Sequence, residues 1–262
     1  MSLTPEALLA RIEQIEREAS ELILEAHDIA VHYKGARNHV TDTDSQVQAL
    51  LTDRLREAVP EARFFCEEDN SQDHLDAEEL FIIDPIDGTT NFVHHLNHSC
   101  ISIAYMRRGE VLLGAIYNPF VDEMFTAVKG GGARLNGRPI RVTEAPLAES
   151  IACVGTAPYR DDLHSETFRL IERIFGICQD IRRQGSAALD LCSVAAGRAG
   201  LFMEQSLYLW DYAAGALIAG EAGAVCCTLS GAPLPWDDSR SPVLAGTPEA
   251  VEAFLRRERD GA

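Results

Sequence analysis

The segment DPIDGTTNF at residues 84–92 constrains this chain more than any other, and it directly follows four apolar residues at positions 80–83. The apolar run predicts a short buried strand. Pro85 has no amide hydrogen to donate, so strand pairing is expected to stop there. We therefore predict that Asp84 and Asp87 lie on a sharp turn at the carboxyl end of a strand, outside any regular element.

This turn combines two kinds of ligand-binding group. Asp84 and Asp87 supply the hard carboxylate oxygens that divalent cations prefer. Gly88 permits close backbone approach, and Thr89 or Thr90 can cap a following helical turn whose free amides favour an anion such as phosphate. The alternative is ordinary turn chemistry, which is the commonest use of Asp-Pro and Asp-Gly dipeptides. Taken alone, the dipeptides leave both interpretations open.

The whole segment resembles the signature of the inositol monophosphatase family, which comprises magnesium-dependent, lithium-sensitive sugar phosphatases. Other segments match family elements in the family's order and at close to its spacing, and together they cover nearly the whole chain. They are VTDTD at residues 40–44, Glu67-Glu68 after the strand-like residues 63–66, GSAA at residues 185–188, and Trp210-Asp211 before the Ala/Gly-rich helical residues 212–223.

The resemblance implies an α/β (α+β) fold, a layered α/β/α/β/α sandwich with mixed and mostly antiparallel sheets, in a single domain over residues 1–262. The chain's own patterns agree with this architecture. Apolar spacing predicts a long helix from Thr4-Pro5 and a second helix over residues 45–58. Glycine-separated apolar runs predict a meander of strands. The remaining predicted elements are strands at residues 100–106, 111–117, 124–128, 139–142, 151–156 and 243–244, and helices at 163–175, 187–196 and one ending at Arg257.

Composition limits the partners of the chain. The formal charge of -18 argues against direct binding to nucleic acid or to anionic membrane surfaces. The same negative charge would repel a phosphate ester unless bound divalent cations made the site locally positive. The alternative is that the acidic surface only increases solubility. The seven cysteines form no CxxC pair, and no signal peptide or membrane-length apolar run is evident. We therefore expect a cytoplasmic, reduced protein.

The resemblance also implies a site for two to three Mg²⁺ ions. By the family's pattern, Asp84 bridges two ions. Glu67 and the backbone carbonyl of Ile86 complete the protein ligands of one ion, and a third, weaker ion is expected near Glu67. Asp87 and Asp211 hold the other ion. From the Glu67-Glu68 pair alone an exposed glutamate is the preferred interpretation of Glu67, and the alternative for Asp211 is a helix N-cap, which aspartate commonly provides. Only the joint pattern makes either residue a ligand.

The implied reaction is hydrolysis of a phosphomonoester by water that coordination to Mg²⁺ activates. In the family a threonine, here Thr89, positions the water and helps to deprotonate it, with Asp44 orienting the threonine and Glu67 nearby. The amides around Gly88 and Thr89 would hold the phosphoryl oxygens, and Asp87 would also contact the substrate. No covalent nucleophile is required, because phosphoryl transfer depends mostly on positioning and charge neutralisation.

The expected substrate is a sugar phosphate, with myo-inositol 1-phosphate first, because Asn91-Phe92 resembles inositol-type members. Glu204 lies seven residues before Asp211, as does the family glutamate that contacts inositol hydroxyls; the alternative is a surface glutamate. Ala187 would line the same sugar side. Residues 205–210 depart from the animal enzymes. Fructose 1,6-bisphosphate and the 2′-phosphate of NADP therefore stay as alternative substrates.

Other interpretations compete with these. His94, His95 and His98 suggest a zinc site, although loop histidines near a phosphate more often bond or face solvent. The glycines at 130–132 lack the Lys-Ser of a P-loop and predict a turn. Two non-catalytic functions also stay open: a transcription-related binding partner, as some bacterial relatives are, and a degenerate metal-binding scaffold. Relatives are commonly homodimers, so a homodimer is expected.

Overall fold

The chain contains both helices and strands, and the computed structural model describes them over residues 3–26, 29–35, 38–68 and 75–260. The helices are α1 (Pro5–Leu24), α2 (Asp42–Ala58), α3 (Thr89–Val93), α4 (His164–Phe175), α5 (Ala187–Ala195), α6 (Leu209–Glu221) and α7 (Pro248–Asp260). The strands are β1 (Val31–Gly35), β2 (Asn38–Thr41), β3 (Arg63–Cys66), β4 (Glu79–Asp87), β5 (Cys100–Arg107), β6 (Glu110–Asn118), β7 (Glu123–Val128), β8 (Ala133–Leu135), β9 (Arg138–Ile140), β10 (Ile151–Val154), β11 (Asp180–Arg182), β12 (Leu201–Leu207), β13 (Val225–Cys227) and β14 (Ser241–Gly246). Within these ranges, none of the helices combines the length and the apolar character that crossing a bilayer requires.

The strands form two main sheets. The seven-stranded sheet has the order β3-β4-β5-β6-β7-β8-β9, in which only β3 and β4 run parallel. The five-stranded sheet has the order β11-β10-β12-β14-β13, in which β10 is parallel to both neighbours and β14 is antiparallel to both of its own. A separate antiparallel hairpin joins β1 and β2. The prediction of mixed, mostly antiparallel sheets is confirmed.

Three apolar cores hold the layers together. Helices α1 and α2 bury Ile12 and Leu51 against the outer face of the seven-stranded sheet. Helices α5 and α6 lie between the two sheets, where Tyr212 is fully buried. Helices α4 and α7 cover the far face of the five-stranded sheet with Leu170 and Phe254. Each fully buried large apolar side chain contributes about 1.5–3 kcal/mol, so these cores fix the predicted α/β/α/β/α sandwich.

Strand β4 continues through Pro85, so the prediction that pairing stops there and that the two aspartates lie outside any element is wrong. Asp84 pairs with Ser102 and Asp87 pairs with Cys100. Two residues of β4 therefore lie between these pairs, whereas β5 has only one. This bulge takes up a residue that cannot donate to a ladder, and it re-aims the side chains on either side.

Helix α2 begins at Asp42, three residues before the predicted start, and this shift places a site residue. The Thr41 amide donates to Asp44 Oδ2 at 2.8 Å, and the Asp44 amide donates to Thr41 Oγ1 at 3.3 Å. This reciprocal capping satisfies two amides that the first helical turn would otherwise leave unpaired. Asp44 is thereby held inside the protein, with no exposed surface.

Strand β12 was not predicted, although it lies near the middle of the five-stranded sheet. All seven of its residues are buried, yet Glu204, Gln205 and Ser206 interrupt the apolar pattern that marks a buried strand. The short strands β1, β2, β8, β11 and β13 were also missed. The predicted strand at residues 139–142 overlaps β9 but extends two residues beyond its end at Ile140, and β14 is longer than the predicted residues 243–244.

Candidate active site

One cavity between the two sheets collects most of the predicted site residues. Its lining combines residues from β3–β4, from the start of α5, and from β12 and α6. The predicted residues in it are Glu67, Asp84, Ile86, Asp87, Gly88, Thr89, Ala187, Glu204 and Asp211. Asp44 lies outside this lining but contacts it through Thr89.

The ends of neighbouring elements bring the carboxylates to this cavity. Strands β3 and β4 run parallel, and the Glu67 amide donates to the Ile83 carbonyl at 3.1 Å just beyond β3. Glu67 therefore follows the same sheet edge that carries Asp84 and Asp87. Asp211 reaches the cavity from the first turn of α6. We call Glu67, Asp84, Asp87 and Asp211 the carboxylate set.

Two members of the carboxylate set are held by backbone amides through one oxygen each. The Ile86 amide donates to Asp84 Oδ1 at 3.0 Å, and the Tyr208 amide donates to Asp211 Oδ2 at 2.7 Å. Asp211 is therefore not the N-cap of α6, which is Tyr208, but the third helical residue, whose carboxylate accepts from the N-cap amide and also lines the cavity. Among the described residues, no hydrogen-bond donor contacts the second oxygen of either carboxylate. Such oxygens suit a hard cation.

Asp87 links the two halves of the site. Its Oδ2 accepts hydrogen bonds from Ser186 Oγ at 2.5 Å and from the Ala188 amide at 2.8 Å. Ser186 also caps α5, because its Oγ accepts from the Leu189 amide at 3.2 Å. Charge-assisted bonds of this kind are short and strong. Ser186 was not among the predicted site residues, although it lies within the GSAA segment that resembles a family element.

Burial and mutual repulsion dominate the electrostatics of the carboxylate set. Burial, and then the charges of Glu67, Asp87 and Asp211, raise the pKa of Asp84 well above its usual value. Burial and the charge of Asp87 likewise raise the pKa of Asp211. Burial raises the pKa of Asp87, although its hydrogen bonds to Ser186 and to α5 oppose this. A divalent cation would relieve this repulsion, so the donor set fits Mg²⁺.

Thr89 and Asp44 stand together as expected, but the threonine has two acceptors. Its Oγ1 lies 3.4 Å from Asp44 Oδ1 and 3.1 Å from the Ile86 carbonyl. Burial raises the pKa of Asp44 to about 6, with the Thr41 hydrogen bonds opposing the shift. The Ile86 carbonyl has two lone pairs, so this bond leaves one acceptor direction for a metal.

The turn after β4 is locked to its surroundings. Gly88 has φ +90, which strains any residue with a side chain, and a Cβ there would also lie only 3.1 Å from the His98 carbonyl, so both features favour glycine. The Asn91 side chain donates to the carbonyls of His98 at 2.7 Å and Gln184 at 2.8 Å. Asn91 therefore ties this turn to the loop that precedes Ser186.

Glu204 is buried in β12, so its interpretation as a surface glutamate is wrong. Its Oε1 accepts a hydrogen bond from the Ala157 amide at 3.0 Å. Burial raises the pKa of Glu204 to about 7, and the Ala157 bond opposes the shift. A Cβ at Gly155 would lie 2.0 Å from Glu204 Oε2, so a glycine there makes room for the carboxylate. The sequence contained no local signal for this pairing.

The cavity lining also contains residues that the sequence analysis did not select. Tyr159, Tyr208 and Arg240 come from three separate segments and are more exposed than the aspartates. We call these three residues the rim set. Arg240 is the only Lys or Arg in the described lining.

The histidines do not form the zinc site that was considered. His94 and His95 are exposed. Over the described ranges, no three His, Cys, Asp or Glu side chains converge on a single point as a preformed metal cage. The members of the carboxylate set likewise do not form such a cage, although they line the same cavity. The glycines at 130–132 form the predicted turn.

Comparisons with known proteins agree with this geometry. The model of the inositol monophosphatase family matches residues 5–260. A Nus factor SuhB of Vibrio cholerae serotype O1 is 37% identical over 236 residues, which cover 90% of this chain and 88% of the relative. An inositol-1-monophosphatase of Rhizobium meliloti is 38% identical over 200 residues, which cover 76% of this chain and 75% of the relative.

A solved structure shares the fold over its full length. The extragenic suppressor protein suhB from Bartonella henselae superimposes with a TM-score of 0.91 at 31% sequence identity. The match covers 98% of this chain and 100% of that one. The layered architecture is therefore the architecture of a known group of proteins.

Proposed function

The chain belongs to the inositol monophosphatase family, and we propose that it is a Mg²⁺-dependent phosphoric monoester hydrolase whose foremost substrate is myo-inositol 1-phosphate. The observation that carries this proposal is the carboxylate set, whose buried and mutually repelling members line one cavity with Thr89. Such a set is costly to bury without cations, which makes a purely structural role a poor explanation.

The proposed ligands follow the family's pattern. Asp84 would be shared between two ions, with Glu67 and the Ile86 carbonyl on one side and Asp87 and Asp211 on the other. A third, weaker ion would lie near Glu67. Bound Mg²⁺ would lower the pKa of coordinated water and neutralise charge on the phosphoryl group. The protein's own contribution is to hold the carboxylates in place through backbone amides and Ser186.

Thr89 is proposed to position the attacking water. At pH 7 the Asp44 carboxyl, with its pKa of about 6, is mostly ionised and can accept the Thr89 hydroxyl proton in a hydrogen bond. That bond would leave the lone pairs of Thr89 Oγ1 free to accept a hydrogen bond from the water. The amides of Gly88 and Thr89 would donate to the phosphoryl oxygens.

The leaving sugar is proposed to lie against Glu204 and Ala187. Glu204 is already fixed by the Ala157 amide, so its remaining acceptor capacity can be used for a sugar hydroxyl. Ala187 presents a small side chain at the start of α5, where a larger one would fill the cavity.

The test is phosphate release from inositol 1-phosphate, fructose 1,6-bisphosphate, NADP, histidinol phosphate and 3′-phosphoadenosine 5′-phosphate, each with Mg²⁺ and with or without Li⁺. We expect Mg²⁺-dependent, lithium-inhibited release, fastest from inositol 1-phosphate. A faster rate with the bisphosphate or NADP would replace the substrate but keep the reaction. Absence of release from every compound, with Mg²⁺ bound, would favour a degenerate metal-binding scaffold.

The similarity to Nus factor SuhB supports a second candidate function, that of a protein partner in transcription. The chain's charge of -18 makes a protein a better partner than nucleic acid. Replacing the chromosomal gene with an Asp84→Asn version separates the two functions. If cells that carry the Asp84→Asn version grow like the wild type, the partner role is supported. If these cells show the same defect as cells without the gene, the phosphatase function is supported. Sedimentation of the same proteins would test the predicted homodimer.

A further inference from the structure

Arg240 is an unneutralised cation beside an acidic cavity. It is half-buried and lines the cavity that holds the carboxylate set and Glu204. Among the described residues, no carboxylate forms an ion pair with it. Its one side-chain hydrogen bond there is a long one, from Nη1 to Ser206 Oγ at 3.5 Å. A guanidinium has five N–H donors, so most of them are available to a ligand.

The position of Arg240 is fixed by aromatic rings rather than by acids. Its guanidinium carbon lies 4.0 Å from the centre of the Tyr208 ring. The Tyr208 ring in turn stacks on Trp210, with centroids 4.5 Å apart and planes inclined by 29°. Cation–π contact of this kind orients a guanidinium without occupying its donors. The arrangement therefore presents a preorganised cation to the cavity.

An anion matches this arrangement better than an aromatic ligand does. The Tyr208 ring already contacts both Arg240 and Trp210, which leaves little of it for stacking on a base. The free donors of Arg240, by contrast, match the geometry of a phosphate. Glu204 lines the same cavity and would repel an anion, so the anion belongs on the Arg240 side.

We propose that Arg240, held by Tyr208, binds a second phosphate group on the leaving-group side of the substrate, so that the enzyme also takes sugar bisphosphates or phosphorylated nucleotides. This inference rests on the proposed phosphatase function and adds a specificity-determining residue to it. The phosphate that is cleaved lies at the carboxylate set, and the second phosphate stays on the product.

Steady-state kinetics with Mg²⁺ test the proposal on inositol 1-phosphate, fructose 1,6-bisphosphate and NADP. We expect Arg240→Gln to lower kcat/KM for substrates with a second phosphate by roughly 10- to 100-fold, mostly through KM, because a charge-assisted contact is lost. The kcat/KM for inositol 1-phosphate, which has no second phosphate, should change by less than about 3-fold. Arg240→Lys should recover part of the loss, since lysine keeps the charge but not the fork.

Two further variants sharpen the result. Tyr208→Leu removes the ring that contacts Arg240. This variant should lower kcat/KM for the substrates with a second phosphate, but by less than Arg240→Gln does. Arg141→Gln removes an exposed cation that does not line the cavity, with a side chain 82% exposed, and should leave the kcat/KM of all three substrates unchanged. Tyr159→Ala distinguishes the two sources of a second phosphate, because a loss confined to NADP would indicate a base resting on the exposed Tyr159 ring.

A binding titration separates this inference from the proposed function. Fructose 1,6-bisphosphate is titrated into the Ca²⁺-loaded wild-type and Arg240→Gln proteins, since Ca²⁺ tolerates irregular oxygen ligation. Weaker binding by the variant supports the subsite even if no substrate is hydrolysed. Equal binding, or equal kinetic losses on all substrates, overturns it. Absence of phosphate release by the wild-type protein, with selective binding intact, would instead refute the phosphatase function alone.

Discussion

The carboxylate set and the rim set line the same cavity but are built in different ways. Asp84 and Asp87 come from one bulged strand, and their positions are fixed by nearby backbone amides and by Ser186. The rim residues Tyr208 and Arg240 come from separate segments and meet through ring contacts. Asp84 and Asp87, which we propose to hold the metal, are thus close neighbours on one strand. The rim residues, which we propose to select the substrate, are brought together only by packing between distant segments. Changes in the first should abolish turnover, and changes in the second should redirect it.

The largest expected effect is that of Asp84→Asn in the carboxylate set. We expect turnover of every substrate to fall by roughly 10³-fold or more, because Asp84 is the carboxylate that we propose to be shared between two metal ions. The apo protein should melt at a higher temperature than the wild type, since the buried repulsion with Glu67 and Asp87 is relieved. Kinetics and calorimetry check both. Activity near the wild-type level would end the active-site assignment.

Thr89→Ala should be the next most damaging change. The variant loses the hydroxyl that bonds Asp44 and the Ile86 carbonyl, so kcat should fall by about 10²-fold. The Mg²⁺ affinity, measured by titration calorimetry, should stay within a few-fold of the wild type. Thr90→Ala is the matched control, because Thr90 lies in the same short helix and lines the same cavity, but none of the described hydrogen bonds joins its side chain to Asp44 or to Ile86. A large drop in Mg²⁺ affinity in Thr89→Ala would show that the threonine acts on the metal site instead.

Ser186→Ala tests whether the two halves of the site depend on each other. It removes a donor to Asp87 and the cap of α5, so we expect about 10-fold lower kcat/KM and about 1–2 kcal/mol lower stability. The Mg²⁺ concentration for half-maximal activity should rise. Ser150→Ala, in a buried serine that bonds the Pro146 carbonyl, is the control for stability alone. Equal Mg²⁺ requirements in the two variants would refute the role assigned to Ser186.

Glu204→Gln should have the smallest effect on turnover and a distinctive effect on stability. Its pKa is raised in the folded state from 4.5 to about 7, so the folded protein binds more protons than the unfolded chain between these values. Wild-type stability should therefore fall as pH rises from about 4.5 to 7, and this fall should be shallower in Glu204→Gln. Denaturant titrations across this range without metal measure it. If stability changes with pH equally in the wild type and in Glu204→Gln, Glu204 is ionised in the folded state over the whole range.

Glu204→Gln should also raise the KM for inositol 1-phosphate a few-fold, as steady-state kinetics would show.

The accuracy of the sequence-based predictions differed between these regions for a physical reason. Asp84, Asp87, Gly88 and Thr89 are consecutive or nearly so, and their types carry chemistry, so the motif was legible before the fold was known. The error at Pro85 arose because proline stops regular pairing, whereas a bulge accommodates it. The family resemblance predicted that Asp44 contacts Thr89. It did not predict that α2 begins at Asp42, or that capping at this end of the helix holds Asp44 in place.

The rim set could not be predicted in the same way. Arg240 lies 32 positions after Tyr208, and arginine occurs on any surface. Strand β12 could not be predicted either, because its buried polar residues interrupt the apolar pattern of a buried strand. Glu204 was selected only by resemblance, and its burial depends on the packing of Gly155 beside it. Contacts between distant segments leave no local pattern in the sequence.

The sequence by itself determined the helices with strong periodicity and the cluster of Asp84, Asp87, Gly88 and Thr89, because these depend on residue type at short spacing. The order of the matching segments indicated the family, and only that resemblance selected Glu67 and Asp211. The tertiary structure alone decided that β4 passes through Pro85, that Asp87 is held by Ser186, and that Arg240 rests on Tyr208 beside the cavity. These features depend on how two sheets and the helices between them pack, and packing joins residues whose separation along the chain carries no signal.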